Sequence, residues 1–538
     1  MAQHFYDYII VGAGSAGAVI AARLSEDLDK RILLIEAGGR DTNPWIHTPL
    51  GVGKLLTNPS VVWQYFTDTG IAADTPKVYW PKGKTLGGSS SVNGMVYSRG
   101  SRRSWDEWRD LGNLGWSYDD ILPYFKRLER RLGGDPSYRG DAGPISVTDV
   151  AHRSAVSQAF IEACHALGAP KNDDYNGPSD EGVAPLQMTV HRGKRCSTAV
   201  AYLKPARRRK NLTVVTETMV NHLLFDGRRC VGVSGVRSGN PFEAHASREV
   251  ILSAGSIESP AILERSGIGN PAILAPLGIE LRHGSEQVGE NLQDHLQVRM
   301  SFEIVGETTV NDLMNKPILG AIEGLRYWLT RRGLLTTSSV TAHAIMKSHQ
   351  QSSHPDTKIQ IALISGKDRY SGNGSGLDQC AGITLGTFQI RPVSRGGVHV
   401  TSADPTAPPS IRPNYLNDPV DRQHTLSGLK LIREVVAQSA LKPYIKQELL
   451  PGTAINSDEA LLRYAAETGQ TSWHPIGTCR MGSDAKSVVD PQLRVRGFDG
   501  LRVADASIMP TMVSTNTNAP TILIGEKAAD LIRQARLS

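Results

Sequence analysis

The sequence predicts an α/β protein in which a Rossmann-like dinucleotide-binding domain, assembled from separate segments, is joined to a second domain with its own sheet. Three observations lead to this prediction. The apolar run YIIV at 8–11 leads into a glycine-rich turn, as the first strand of a dinucleotide-binding unit does. Alternating apolar and polar residues between 211 and 236 indicate inserted strands. The chain has 538 residues, more than the roughly 250–300 at which a single core stops growing.

The glycine-rich turn reads GAGSAG, in which Gly12, Gly14 and Gly17 form the pattern GxGxxG ahead of an alanine-rich helix. Glycines at these positions permit a tight turn, close approach of the backbone to a pyrophosphate, and close contact between helix and strand. The N-terminus of the helix favours the negative charge. Glu36 ends the next apolar run, about 20 residues further on, where a carboxylate accepts hydrogen bonds from an adenosine ribose. The unit therefore predicts a dinucleotide and leaves NAD and FAD both open.

Composition and charge argue against several classes of protein. Hydrophobic residues make up 40% and charged residues 21% of the chain, as in an ordinary globular protein. The net charge is +6, but the densest basic run, RRRK at 207–210, lacks interleaved aromatic residues, so no nucleic-acid partner is expected. The five cysteines form no CxxC pair and no cluster with histidine, so neither a disulfide framework nor a metal site is predicted.

The sequence also bears on location. No uninterrupted apolar run reaches the about 20 residues that a membrane span needs. The start, MAQHFYDYIIVGAG, has neither a basic region nor a small-residue cleavage site. We therefore expect a cytoplasmic protein without a transmembrane segment, a monomer or homodimer, for which peripheral contact with a membrane stays open.

A histidine near the end of the chain stands in an unusual setting. His474 lies in TSWHPIGTCRMG, between Trp473 and Pro475. Because the proline disfavours the α region for the residue before it, the ring is expected on extended or turning backbone. That geometry suits a reactive site and a packed turn equally well.

Longer segments resolve this choice, because together they resemble the glucose–methanol–choline (GMC) family of FAD-dependent oxidoreductases. The resemblance extends over essentially the whole chain, with the segments in the family's order. They are GKTLGGSSSVNGMVYSRGSRRSWDE (83–107), GSIESPAILERSGIG (255–269), VGENLQDH (288–295), TSWHPIGTCRMG (471–482) and GLRVADASIMPTMVSTNTNAPT (500–521).

The resemblance implies a division into two domains. Residues 1–150, 200–310 and 461–538 are expected to form an FAD-binding domain. Residues 151–199 and 311–460 are expected to form a substrate-binding domain, an antiparallel sheet covered by helices. The residues expected around FAD are Gly12, Gly14, Ser15, Ala16, Gly17, Glu36, Ala37, Gly38, Trp63, Leu86, Gly87, Gly88, Ser91, Asn93, Gly94, Met95, Val96, Val220, Ala254, Gly255, Ser259, Asp505, Ala506, Asn518, Pro520 and Thr521.

The family's active-site block implies a catalytic pair. His474 corresponds to the base that removes the hydroxyl proton of an alcohol, and Asn518 is assigned as its hydrogen-bond partner, which stabilises charge on the substrate oxygen. Trp473 is expected to flank the substrate and exclude water. Asn518 has a rival role as the cap of the helix that NAPTILIGEKAADLIRQ predicts; both roles are compatible.

Two departures from the family bear on cofactor and substrate. Val92 stands where some members link FAD to a histidine, so non-covalent FAD is predicted. Gln297 stands where choline dehydrogenases often have an acid, so a primary aliphatic or aromatic alcohol is favoured, with choline dehydrogenase or oxidase activity as the alternative. A non-oxidative lyase or photodecarboxylase of the same fold is a further alternative. The acceptor is expected to be a quinone, an electron carrier or O2.

Overall fold

The computed structural model describes residues 5–152, 154–349, 352–367 and 376–535. The outermost parts of the predicted domain segments, 1–4 and 536–538, lie outside this range. In chain order the strands are β1 Phe5–Val11, β2 Ile32–Ile35, β3 Val62–Gly70, β4 Lys77–Gly83, β5 Glu129–Arg130, β6 Ile145–Ser146, β7 Thr148–Asp149, β8 Gly182–Pro185, β9 Gln187–Met188, β10 Val190–His191, β11 Lys194–Arg195, β12 Leu212–Val215, β13 Thr218–Asp226, β14 Arg229–Arg237, β15 Asn240–Leu252, β16 Ile268–Gly269, β17 His283–Gly284, β18 Leu296–Ile304, β19 Val340–Met346, β20 Thr357–Ala362, β21 Gly382–Gln389, β22 Gly397–His399, β23 Ser410–Arg412, β24 Ile445–Leu450, β25 Gln470–Thr471 and β26 Leu501–Val503.

The α-helices of the described residues follow the same order. They are α1 Gly17–Leu24, α2 Pro44–His47, α3 Val52–Leu55, α4 Arg102–Asp110, α5 Tyr118–Leu128, α6 Ala155–Ala166, α7 Lys204–Ala206, α8 Gly255–Arg265, α9 Pro271–Leu274, α10 Val310–Asn315, α11 Pro317–Thr330, α12 Pro419–Ala437, α13 Asp458–Thr468 and α14 Asn518–Gln534. None of them is long and apolar enough to cross a membrane.

The first large sheet is built around the predicted dinucleotide unit. Its order is β12-β2-β1-β15-β14-β13, with β26 beside β15. Strands β12, β2, β1, β15 and β26 are parallel, whereas β13, β14 and β15 form an antiparallel meander. Residues 8–11 of β1 are fully buried, as expected of a parallel strand covered on both faces. Helices α1 and α14 pack so closely that a Cβ on Gly525 would lie 2.7 Å from the carbonyl oxygen of Ala16.

The second large sheet is antiparallel, in the order β24-β18-β21-β20-β19-β8, with β25 beside β18. Alternate side chains point to opposite faces of a strand, and this alternation sorts the chemistry. Ile383 and Leu385 of β21 pack in the core that α6, α12 and α13 cover. Thr384, Gly386 and Phe388 of the same strand line a long cleft between the two sheets. One face of this sheet therefore supports the fold and the other faces the cleft.

The predicted fold class is confirmed: a mixed α/β protein with a Rossmann-like sheet made from distant segments and a helix-covered antiparallel sheet. The predicted domain boundaries stay a prediction. Strand β18 belongs to the second sheet, although the expected FAD-binding segment runs to residue 310. Helix α13 also packs in the core of the second sheet, although most of its residues lie after 461.

Candidate active site

The glycine turn after β1 has one open position and two crowded ones. Gly12 has φ +98, and a Cβ there would lie 2.4 Å from the carbonyl oxygen of Ser253. A Cβ on Gly17 would lie 1.9 Å from the carbonyl oxygen of Gly12. A Cβ on Gly14 would meet no protein atom within 4 Å, and Gly14 lines the cleft. Gly12 and Gly17 therefore shape the turn, while Gly14 leaves room for a group outside the protein.

Glu36 directly follows β2 and forms part of the cleft wall. Its Oε2 accepts a hydrogen bond of 2.9 Å from the amide of Ala13, and its Oε1 accepts one of 2.9 Å from the amide of Gly38. Burial raises the pKa of Glu36 to about 7. Each oxygen keeps a lone pair for a further donor, so the carboxylate fits the hydroxyls of a ribose.

The cleft runs from Glu36 past the glycine turn to His474. Most of the residues expected around the cofactor line it: Gly12, Gly14, Ser15, Ala16, Glu36, Ala37, Trp63, Gly88, Asn93, Gly94, Met95, Val96, Val220, Ala254, Gly255, Asp505, Ala506, Asn518 and Thr521. Gly17, Gly38, Leu86, Gly87, Ser91, Ser259 and Pro520 are not part of its wall. Several of these support the wall from behind, as when Ser259 Oγ donates to Asp505 Oδ2 over 2.6 Å. A dinucleotide cofactor, which has an aromatic ring system at each end, fits this arrangement.

The backbone turn that carries His474 is held by a buried carboxylate. The amide of His474 donates to Asp294 Oδ1 over 2.8 Å, and the hydroxyls of Thr471 and Tyr415 donate to Asp294 Oδ2. Trp473 adopts φ +62, which is rare for a bulky residue, and its amide donates to Thr471 Oγ1 over 2.7 Å. Trp473 and His474 both line the cleft, as the sequence predicts.

A second histidine sets the proton position on His474. His295 Nε2 lies 3.1 Å from the carbonyl oxygen of Ile390, which can only accept, so Nε2 carries the proton. Burial lowers the pKa of His295 to about 3, so the ring is neutral and its Nδ1 is an acceptor. That atom lies 2.9 Å from His474 Nδ1, which must therefore donate. We infer from this network that the lone pair of His474 is on Nε2.

Asn516, rather than Asn518, contacts His474. Asn516 Nδ2 lies 3.0 Å from His474 Nε2, and Asn516 Oδ1 accepts a hydrogen bond of 2.9 Å from Lys358 Nζ. Because an ammonium group can only donate, Lys358 fixes the orientation of the amide. Burial lowers the pKa of Lys358 to about 7, and burial together with the neighbouring His295 and lysines lowers the pKa of His474 well below its usual value.

The hydrogen-bond contact with His474 that the sequence assigned to Asn518 is made by Asn516, two positions earlier. Asn518 Oδ1 accepts a hydrogen bond of 2.8 Å from Ser15 Oγ, so this side chain joins α14 to the glycine turn. The capping role is wrong, since the N-cap of α14 is Thr517 and it makes no side-chain cap. The sequence signal for this contact is the repeat in NTN at 516–518, which offers two asparagines two positions apart.

Strands β18, β20 and β21 of the second sheet form part of the cleft wall. They contribute residues that motif reasoning did not assign to the wall: Gln297, Arg299, Gln360, Ala362, Thr384, Gly386 and Phe388. Arg299 donates through Nε to Gln297 Oε1 over 2.8 Å and through a terminal nitrogen to Gln470 Oε1. Among the described residues that line the cleft, none of the acidic ones comes from these strands.

Comparison with known proteins gives the class. The family description "GMC oxidoreductase" matches residues 6–297 through its N-terminal part and residues 392–525 through its C-terminal part. The chain belongs to this family, and it is an FAD-dependent oxidoreductase that acts on CH–OH groups. The cleft described above fits FAD.

Individual relatives are similar along nearly the full chain. An oxygen-dependent choline dehydrogenase of Photobacterium profundum is 40% identical over 531 residues, covering 98% of this chain and 93% of the relative. An acceptor-dependent alcohol dehydrogenase of Pseudomonas putida is 39% identical over 530 residues, covering 98% and 95%. The crystal structure of pyridoxine 4-oxidase from Mesorbium loti superposes with TM-score 0.88 at 32% identity, covering 99% of both chains.

Proposed function

We propose that this protein oxidises a primary aliphatic or aromatic alcohol to the aldehyde, with His474 as the base and Asn516 as the hydrogen-bond donor to the substrate oxygen. The observation that carries the proposal is the contact of 3.0 Å between Asn516 Nδ2 and His474 Nε2 on the cleft wall. An alcohol oxygen that approaches both atoms meets a proton acceptor and a donor at once. Bound FAD supplies the hydride acceptor for the α-carbon.

The protein prepares the base before the substrate arrives. His295 holds the proton of His474 on Nδ1, so Nε2 carries the lone pair that takes the hydroxyl proton when the substrate oxygen replaces Asn516 at this atom. The low pKa of His474 keeps the ring neutral at physiological pH, which is the form that can act as a base. Asn516 then donates to the oxygen as negative charge develops on it. Trp473 lines the same part of the cleft and helps to exclude water.

The part of the cleft wall that β18, β20 and β21 form supports an uncharged alcohol over choline. Recognition of a quaternary ammonium group uses aromatic faces and negative charge. Phe388 contributes an aromatic ring to this wall, but Gln297 and Gln360 contribute amides, Arg299 contributes a positive charge, and the described residues of β18, β20 and β21 contribute no carboxylate. Choline remains the alternative substrate, since relatives at 40% identity are named choline dehydrogenases. On this reasoning Gln297→Glu raises the rate of flavin reduction by choline relative to that by benzyl alcohol.

The cofactor is proposed to be non-covalent and the electron acceptor to be a quinone, a carrier or O2. Val92 lines the cleft, and His474 is the only histidine on the wall among the described residues, so no imidazole lies where a link is expected. Similar proteins are named both as dehydrogenases and as an oxidase. The predicted domain division, a cytoplasmic location and a monomeric or homodimeric state belong to the same proposal.

The test is an anaerobic absorbance titration of the purified holoenzyme with choline, alkanols, benzylic alcohols and sugars, followed by air. We expect bleaching of the flavin band near about 450 nm by a primary alcohol, and the rate at which colour returns separates an oxidase from a dehydrogenase. Failure of every alcohol to bleach the flavin would favour the lyase or photodecarboxylase alternative.

A variant pair assigns the base in the same assay. His474→Ala is expected to retain FAD and to reduce it about 10²–10⁴-fold more slowly, the usual contribution of a general base. The matched control is His343→Ala, because His343 is also fully buried but does not line the cleft. Equal reduction rates in the two variants would contradict the assignment.

A further inference from the structure

Helix α11 turns an apolar face outward. Ile318, Ile322, Leu325 and Leu329 follow helical spacing, so they lie on one side of the helix. Their exposed fractions are 79%, 57%, 58% and 64%, and Trp328 near the C-terminal end is 68% exposed. Scattered exposed apolar residues are ordinary on a protein surface, but a continuous stripe on one helix marks an interaction site.

The outward orientation of this face is fixed by contacts on the other side of the helix. Tyr327 is buried, and its hydroxyl donates to the carbonyl oxygen of Gly193 over 2.9 Å, on the turn between β10 and β11. Gly320 is packed so closely that a Cβ would lie 2.5 Å from the carbonyl oxygen of Leu313. Gly320 and Tyr327 thus anchor one narrow side of the helix. Among the described residues, no other element covers its broad apolar side.

Positive charge surrounds the exposed face. From 316 to 332 the segment reads KPILGAIEGLRYWLTRR, with four cations and one acid, and that acid, Glu323, pairs with Arg326 over 3.1 Å. The turn that anchors Tyr327 adds two exposed cations, Arg192 and Lys194. An apolar stripe with a terminal tryptophan and flanking Lys and Arg is the composition of a helix that lies in a membrane interface.

We propose that α11 docks the protein peripherally on an anionic phospholipid bilayer. The apolar stripe enters the boundary between headgroups and acyl chains, and the cations meet the lipid phosphates. With 14 residues the helix is about 21 Å long, which suits a helix lying in the membrane plane. Ser338 and Ser339 line the cleft and follow α11 by only a few residues. The docking helix is therefore close in sequence to residues of the cleft. The proposal is independent of which alcohol is oxidised.

Vesicle flotation of the holoenzyme tests the proposal. We expect the protein to float with vesicles of phosphatidylcholine and phosphatidylglycerol, and Ile322→Ser/Leu325→Ser/Leu329→Ser to lower the bound fraction by about tenfold or more. The matched control is Leu28→Ser/Leu114→Ser/Leu132→Ser, which removes leucines with exposed fractions of 71%, 76% and 78% elsewhere on the surface. The control is expected to bind as the unmodified protein does.

Charge and depth are tested separately. Arg192→Gln/Lys194→Gln/Arg332→Gln is expected to weaken binding to the anionic vesicles several-fold and to make binding less sensitive to salt. In the unmodified protein, brominated lipids are expected to quench tryptophan fluorescence, and Trp328→Phe is expected to remove most of that quenching. The quenching measurement does not depend on the folding of the triple variants. Their flavin content reports whether they are folded.

Three outcomes would overturn the proposal. They are the absence of flotation with anionic vesicles, equal binding by the α11 triple serine variant and the control triple serine variant, and quenching that persists in Trp328→Phe. Sedimentation velocity distinguishes the rival occupant: a dimer that the α11 serine variant dissociates, together with no vesicle binding, would assign the face to a second copy of the chain.

Discussion

The roles of Asn516 and Asn518 in the candidate active site can be tested by replacing each of them with alanine in turn. Asn516→Ala deletes the donor that lies 3.0 Å from His474 Nε2 and the acceptor that lies 2.9 Å from Lys358 Nζ. Loss of one preorganised donor to a developing oxyanion costs about 10²–10³-fold in rate, or about 3–4 kcal/mol. We expect flavin reduction by the preferred alcohol to slow by that factor in anaerobic stopped-flow measurements.

Two further variants separate chemistry from stability. Asn516→Asp restores an acceptor for Lys358 but places a second acceptor against His474 Nε2, so it should keep the slow reduction of the alanine variant while recovering only part of its thermal stability. Asn518→Ala removes only the acceptor of the Ser15 hydroxyl, and we expect it to lower FAD affinity while the remaining holoenzyme is reduced within about tenfold of the wild-type rate. Slow reduction in Asn518→Ala together with normal reduction in Asn516→Ala would refute the reasoning.

Three other variants give measurable outcomes. Burial lowers the pKa of Lys358 from 10.5 to about 7, so the folded state binds fewer protons between these values and stability rises with pH; Lys358→Met should remove this slope, measured by urea unfolding. Despite burial, Glu264 and Glu290 raise the pKa of His399 to about 9, so its contribution is complete below about 6.5 and disappears above 9; His399→Gln should lower Tm at pH 6 and scarcely at pH 9.5. Gly14→Val should purify folded with little FAD, and full occupancy would contradict the assignment of this turn to the cofactor.

Local sequence patterns predicted the dinucleotide-binding part of the first sheet well because its functional residues lie close together in the sequence. Gly12, Gly14 and Gly17 act within one turn, and Glu36 ends the adjacent strand, so strand, loop and acid can be recognised together. The position of His474 also followed from a continuous motif. These features need no knowledge of how distant segments meet.

The asparagine that contacts His474 could not be predicted in the same way. Asn516 and Asn518 are equivalent in the sequence, and what separates them is the start of α14 at Asn518 and the presence of Lys358 on a strand of the other sheet. His295 lies inside a family segment, yet its role depends on the carbonyl oxygen of Ile390, almost a hundred residues away. Register and sheet packing decide such contacts, and a single sequence does not show them.

The hydrogen-bonded series from His295 through His474 and Asn516 to Lys358 draws on both sheets. Lys358 lies in β20 of the helix-covered sheet, whereas Asn516 precedes α14, which packs against the glycine turn. The tautomer of His474 and its contact with Asn516 therefore depend on the packing of the two sheets against each other. We expect partial loosening of the second sheet to leave a coloured protein that is reduced slowly, so turnover would report structural integrity more sensitively than cofactor content.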